Sequence, residues 1–194
     1  MIERNPATEQ FRNRMPEMAT VYKEAFAGFP WYEQLSIEET FNRVANNSEK
    51  AGFDAFLAFA SDGSDQIVGG LWYDKPTLEE LEKERGFELR EFVELLGMNQ
   101  STANIVWERE VLVKPGFQGL KIATNLRTLF ISYVSQEMSE GGVILTRMRD
   151  DNLPIIKVAE NVGYQRTGIK VASSQNPSTK HEYWYSVLGA FGES

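Results

Sequence analysis

From residue 105 to residue 138 the chain reads as a strand, a short loop and then a long helix, and no other stretch limits the fold as much. Leu126, Leu129, Phe130, Tyr133, Val134 and Met138 fall at i, i+3, i+4, i+7, i+8 and i+12, one apolar stripe of a helix predicted over 122–138. Gly141 and Gly142 end it. The segment 105–113 before it and the segment 143–148 after it are predicted strands. A strand, a helix and a strand in this order build a sheet with helices packed on it.

The flanking segments extend that plan. Phe11, Met15, Met18, Val21, Tyr22 and Phe26 keep helical spacing, and Pro16 is expected in the first turn of that helix. The breaker run Gly28-Phe29-Pro30-Trp31-Tyr32 closes it. Ser36 followed by Glu38 and Glu39 predicts a helix start, with the helix running to about residue 51. Strands are expected at 53–60 and 66–73, joined by the hairpin-loop composition Ser61-Asp62-Gly63-Ser64-Asp65. The stretch 76–97 holds seven Glu against three Lys and Arg, a solvated helical face, while Leu78, Leu81, Phe92, Val93, Leu95 and Leu96 predict docking along one side. A short helix at 155–162 and strands at 165–172 and 182–188 complete the chain, with a polar loop at 173–180 between the last two. The expected fold class is α/β (α+β): a single domain over 1–194, a mixed sheet with helices on its faces, and an acidic helical insertion at about 76–100.

Composition narrows the chemistry. At 194 residues and 42% apolar, with twelve Phe, seven Tyr and four Trp, the chain can bury one full core. It has no cysteine, which excludes disulfides, a thiolate zinc site and a cysteine nucleophile, and fits a reducing compartment such as the cytoplasm. The net charge is −8 and no basic cluster occurs, so neither nucleic acid nor a membrane surface is an expected partner. Such a charge keeps a protein soluble and also attracts cationic partners, amines among them. No apolar stretch reaches the ~20 residues of a membrane span, and the first residues lack a signal-peptide core.

The loop before the long helix contains Pro115, Gly116 and Gly119. The first N–H groups of a helix have no partner within it, and the helix dipole adds positive potential there. Such an end holds a phosphate or pyrophosphate without a basic side chain, and small residues let the backbone come close. An ordinary strand-to-helix turn has the same composition, so spacing alone leaves both readings open.

A resemblance separates them. The run Val113-Lys-Pro115-Gly-Phe-Gln118-Gly119-Leu-Lys-Ile122-Ala123 resembles the acetyl-CoA signature of the GNAT superfamily of N-acetyltransferases, Val-x-Pro-x-x-(Arg or Gln)-Gly-x-Gly-x-(Gly or Ala). A later block, from Asn152 through Gly163 to Tyr164, resembles that family's Asn-x-x-Ala-x-x-x-Tyr-Glu-x-x-Gly-Phe. The resemblance implies a mixed, mostly antiparallel central sheet with helices on both faces, and acetyl-CoA as co-substrate with no metal. It implies that Leu112 and Val113 pair with the pantetheine arm, and that Gln118, Gly119, Leu120, Lys121, Ile122 and Ala123 wrap the pyrophosphate. It implies that Asn152 helps to hold the cofactor. Two residues depart from the pattern: Lys121 stands where the family has Gly, and Ala159 stands where it often has the Tyr that protonates the departing thiolate.

An amine attacks a thioester only when unprotonated, and an alkylamine has a pKa of about 10. A carboxylate near the amine would take the proton. Glu108 and Glu110 lie two apart on the strand before the loop, which puts both on one sheet face, and either qualifies as base; both also suit a solvated strand face beside Arg109. A backbone N–H near Leu112 or Val113 would hold the oxyanion. Trp31, Tyr32 and Glu33 follow the first helix, where the resemblance puts the acceptor substrate. They suit stacking and cation attraction, and equally a cap on the core. His181, the single histidine, reads as a bystander, and nothing in the sequence gathers metal ligands around it. The expected activity is transfer of an acetyl group from acetyl-CoA to a primary amine of a small, cationic molecule or of a peptide, with a homodimer left open. The alternative is a non-catalytic acyl-CoA-binding or sensing module on the same fold, which Ala159 and Lys121 favour.

Overall fold

The computed structural model describes residues 1–4, 9–28, 30–96, 104–138, 140–172 and 179–189. Phe29, the end of the acidic stretch beyond residue 96, and most of the loop expected at 173–180 lie outside them. The chain divides into two compact units, Met1–Asp74 with Arg109–Phe130, and Lys75–Glu108 with Ile131–Ser194.

The first unit holds β1 (Ile2–Arg4), α1 (Glu9–Phe26), α2 (Ile37–Ser48), β2 (Asp54–Phe59) and β3 (Ile67–Asp74). It also takes the later part of β4 (Ile105–Val113) and the first turns of α5 (Ile122–Glu137). β1 pairs antiparallel with β2 (Ile2↔Ala58), and β2 antiparallel with β3 (Asp54↔Tyr73). The strand β1 goes beyond the sequence reading, because three residues give no readable period. α1 begins by Glu9 and carries Pro16 inside it, not in its first turn. An interior proline costs ~3 kcal/mol of helix stability. Burial of Phe11, Met15, Met18, Val21 and Tyr22 on one face outweighs that, at about 1.5–3 kcal/mol for each large apolar side chain. Their stripe packs with Phe53, Ala55, Leu57, Ile67, Trp72 and Leu112 into one core. α2 starts at a capping box: Ser36 Oγ accepts from Glu39 N–H, and the Glu39 carboxylate accepts from Ser36 N–H.

The second unit holds α3 (Leu78–Arg85), α4 (Phe87–Leu95), the start of β4, the end of α5, β5 (Gly142–Arg149), α6 (Leu153–Asn161), β6 (Gln165–Ala172) and β7 (Lys180–Leu188). The acidic stretch is thus two helices, parted where Gly86 takes φ +104°, a conformation that side chains resist. The break resets the helical phase. Leu78, Leu81, Leu89 and Val93 are buried with Ile105, Trp107, Val143, Leu145 and Tyr183, whereas Leu95, expected to dock, is 85% exposed. β4 and β5 pair in parallel from Ile105↔Val143 to Glu108↔Thr146. β5–β7 and β6–β7 pair antiparallel.

β4 belongs to both units, and the strand order is β1-β2-β3-β4-β5-β7-β6. The sheet is mixed and mostly antiparallel, with six α-helices among the described residues. None of these helices is long and apolar enough to cross a membrane.

Candidate active site

The loop between β4 and α5 keeps its amides open. Lys114 N–H bonds Val68 O at 2.9 Å, and a single 3-10 turn covers Pro115–Phe117. Gln118 Nε2 donates to Val113 O at 3.3 Å, tying the loop back to the strand end. Gly119 then takes φ +78° and Lys121 φ +61°. Asn125 N–H, bonded to Lys121 O at 2.9 Å, is the first amide of the helix start with a backbone acceptor. The N–H groups of Gly119, Leu120, Lys121, Ile122 and Ala123 have none among the described residues. A Cβ built at Gly116 or Gly119 would meet nothing within 4 Å, so the turn is open to a ligand. A groove of about 640 Å³ is lined by Leu120 and Ile122 with Phe59, Val68, Phe117 and Leu129. The open amides of the turn fit a diphosphate group. Lys121 follows the left-handed backbone of the glycine that it replaces, at a cost of about 1 kcal/mol.

Four side chains of the first unit meet beside this strand. Tyr22 on α1 donates from Oη to Glu110 Oε1 at 3.3 Å. Arg43 on α2 donates from Nη1 to Tyr22 Oη at 2.6 Å and to Glu33 Oε2 at 3.0 Å, and its guanidinium lies 5.3 Å from the Tyr22 ring centroid. Glu33 and Glu110, expected in separate roles, therefore belong to one hydrogen-bonded cluster. Burial first, then the neighbouring Glu110 carboxylate, pushes the Tyr22 hydroxyl well above its ordinary pKa, so it stays protonated. Trp31 is half-buried against Phe26, with ring centroids 5.1 Å apart. Tyr32 is 65% exposed and takes φ +49°. Tyr32 and Lys121 are the two non-glycine residues with positive φ among the described residues. Strain of this kind gathers where surrounding structure is used for binding.

Glu108 is a different environment. It is buried, Tyr164 Oη donates to its Oε2 at 2.6 Å, and Thr146 Oγ1 approaches its Oε1 at 3.5 Å. Thr146 Oγ1 also bonds the Glu108 carbonyl at 3.1 Å. Asn152 stands at the N-terminus of α6 and makes no side-chain cap there. Ala159 is fully buried on that helix. His181 lies across from Arg149 in the β5–β7 register; burial, then Arg147 and Arg149, push its pKa down to about 4. Among the described residues no group of three or more His, Cys, Asp or Glu is placed to hold a metal ion.

Sequence reasoning missed Tyr22, Arg43 and Tyr164. Tyr22 sat unnoticed in an apolar helical stripe, and Arg43 carried no pattern at all. Tyr164 had a signal, as the aromatic residue that ends the second motif.

No family model and no curated protein matches the chain in sequence. Solved structures match its fold along nearly its whole length. One is ribosomal-protein-alanine N-acetyltransferase from Brucella melitensis, at TM-score 0.65 and 16% identity, covering 97% of this chain and 99% of that one. Another is an aminoglycoside 6'-N-acetyltransferase complexed with coenzyme A, at TM-score 0.65 and 10% identity, covering 100% and 99%. A third is a GNAT-family acetyltransferase from Bacillus cereus, at TM-score 0.60 and 12% identity, covering 98% and 99%. The chain has the GNAT fold. Within that fold the open turn at Gly119 follows the strand that carries Glu108 and Glu110.

Proposed function

We propose that this GNAT-fold protein is an acetyl-CoA-dependent N-acetyltransferase acting on a primary amine. The observation that carries the reading is the open turn: five consecutive amides from Gly119 to Ala123 without a backbone acceptor, at the start of a sixteen-residue helix. Those amides hold the diphosphate of CoA, and Leu112 and Val113 offer backbone to its pantetheine arm. Acetyl-CoA supplies a reactive thioester whose acetyl group passes to the amine nitrogen as the C–S bond breaks and the thiol leaves.

Glu110 takes the proton from the acceptor ammonium. It is half-buried beside the half-buried Arg43 and Glu33, where an amine can reach it, whereas Glu108 is 1% exposed and engaged by Tyr164. Glu108 then fixes the strand from which Glu110 projects. The charge of the Glu33–Arg43–Glu110 cluster is −1, and that of the chain −8, so the favoured acceptor is a small cationic amine or a peptide amine. Trp31 and Tyr32, which precede Glu33, offer aromatic faces to such a cation. The activities of two structural neighbours, on a ribosomal protein and on an aminoglycoside, include both acceptor types.

A second reading has one observation in its favour. Ala159 is fully buried and has no hydroxyl with which to protonate the departing thiolate, as a non-catalytic acyl-CoA sensor would not need one. In the enzyme, solvent does this, since a thiol of pKa about 8.5 is a fair leaving group. Thermal denaturation with acetyl-CoA, followed by thiol release across an amine panel, separates the readings. At ligand near 100 times Kd the protein should gain about 2.7 kcal/mol. No gain removes both readings, and a gain without turnover of any amine leaves the sensor.

A further inference from the structure

The structure assigns Tyr22 as the residue that positions Glu110, with Arg43 fixing the direction of its proton. This rests on the reading above, in which Glu110 receives the proton of the acceptor amine.

A phenol carries one proton and accepts through its lone pairs. Arg43 Nη1 donates into Tyr22 Oη at 2.6 Å, and a guanidinium never takes a proton back. The Tyr22 proton is therefore committed to its other neighbour, Glu110 Oε1, at 3.3 Å. Neither partner of Tyr22 can reverse the chain of donation from Arg43 to Tyr22 to Glu110 while Glu110 is ionised. Tyr22 is itself immobile. It is 1% exposed, stacked on Phe26 at 4.4 Å and set against Trp72 at 6.2 Å between ring centroids. Arg43 is anchored in turn by Glu33, whose side chain is 8% exposed. The result is a carboxylate with one oxygen held by a rigid donor before any substrate arrives. Three separate elements, α1, α2 and the segment that contains Glu33, are needed to hold it.

Such an arrangement has two consequences. Glu110 loses rotamer freedom, so the proton is received in one geometry, which affects turnover more than amine binding. The hydroxyl also hydrogen-bonds the ionised carboxylate, the form that accepts the proton.

The test is a double-mutant cycle on the full chain with acetyl-CoA and the best amine of the panel. Tyr22→Phe keeps the ring and its packing. It should lower kcat about tenfold or more with KM for the amine within about twofold. In a Glu110→Gln background the same change should cost nothing further, since there is no base left to position. Arg43→Lys, which retains a cationic donor, should retain more activity than Arg43→Met. Each variant's melting curve is compared with that of the parent, and a Tyr22→Phe variant that melts with the parent and turns over at the parental rate overturns the inference. Equal losses from Tyr22→Phe with and without Glu110 overturn it as well, because the hydroxyl would then act elsewhere. If Tyr22→Phe fails to fold, the Arg43 pair decides: equal activity of the Lys and Met variants rejects the chain of donation. Failure of the underlying reading looks different, as the parent protein itself would then acetylate no amine.

Discussion

Tyr164 donates its hydroxyl proton to Glu108 Oε2 at 2.6 Å, joining the turn after α6 to the middle of β4, and both side chains are buried. A buried carboxylate that loses a donor has part of its desolvation cost left uncompensated, about 1–3 kcal/mol. Tyr164→Phe preserves the ring and removes only that donor. The variant should melt lower by roughly 2–12 °C, given about 2–4 °C per kcal/mol for a chain of this size. Differential scanning calorimetry checks it, and an unshifted melting temperature would show that the bond contributes nothing net.

Glu110→Gln removes the proposed base and keeps the shape of the side chain. General-base removal costs on the order of 100-fold or more in kcat/KM. The loss should be largest near pH 7, where an alkylamine of pKa about 10 is almost all ammonium, and should shrink toward pH 10, where free amine is abundant. A pH series of initial rates for parent and variant checks the slope. A loss that is constant across pH would assign Glu110 to substrate binding.

Gly119 and Lys121 share a left-handed backbone and call for opposite substitutions. An alanine at Gly119 meets no atom within 4 Å, so its cost is conformational, about 1–2 kcal/mol. The strained φ opposes the open form of the turn, and Gly119→Ala should weaken acetyl-CoA binding about tenfold. Lys121→Gly relieves the strained φ and should leave binding intact or improve it. Calorimetric titration with acetyl-CoA compares the three proteins, and equal affinities would place the diphosphate away from this turn.

How much of this was legible depends on the length and period of each signal. The long helix from Ile122 showed in the sequence because six apolar residues repeat over four turns, and β4 because nine residues run between a polar segment and Pro115. α1 was legible as a helix but not at its start, since Pro16 is a strong local breaker and only the buried Phe11 and Met15 outweigh it. The division of the acidic stretch at Gly86 was masked by glutamates that suit either one helix or two, and the wrong phase put Leu95 inward. In the site, the turn at Gly119 announced itself through glycine and proline. The partners of Glu110 did not, because Tyr22, Glu33 and Arg43 come from separate elements and are 67 to 88 residues away in sequence. Side chains that meet only through tertiary structure leave no local pattern.

His181 gives the fold a pH dependence of known sign. Its pKa falls from 6.5 to about 4, by burial first and then by Arg147 and Arg149, against the opposing pull of Asp150 and Asp151. In the unfolded chain it keeps about 6.5. Between those values the unfolded state binds a proton that the folded state refuses, so stability is full above about pH 6.5 and declines as pH falls toward 4. The total is up to about 3 kcal/mol at 1.36 kcal/mol per pKa unit. Carboxylates titrate in the lower part of the same window, so the informative quantity is the difference between the parent and His181→Gln, whose side chain cannot be protonated. Urea denaturation at pH 7.5, 6, 5 and 4.5 should show the parent losing stability faster than the variant below about pH 6.5, and parallel curves would mean that the imidazole reaches water and protonates in the folded protein.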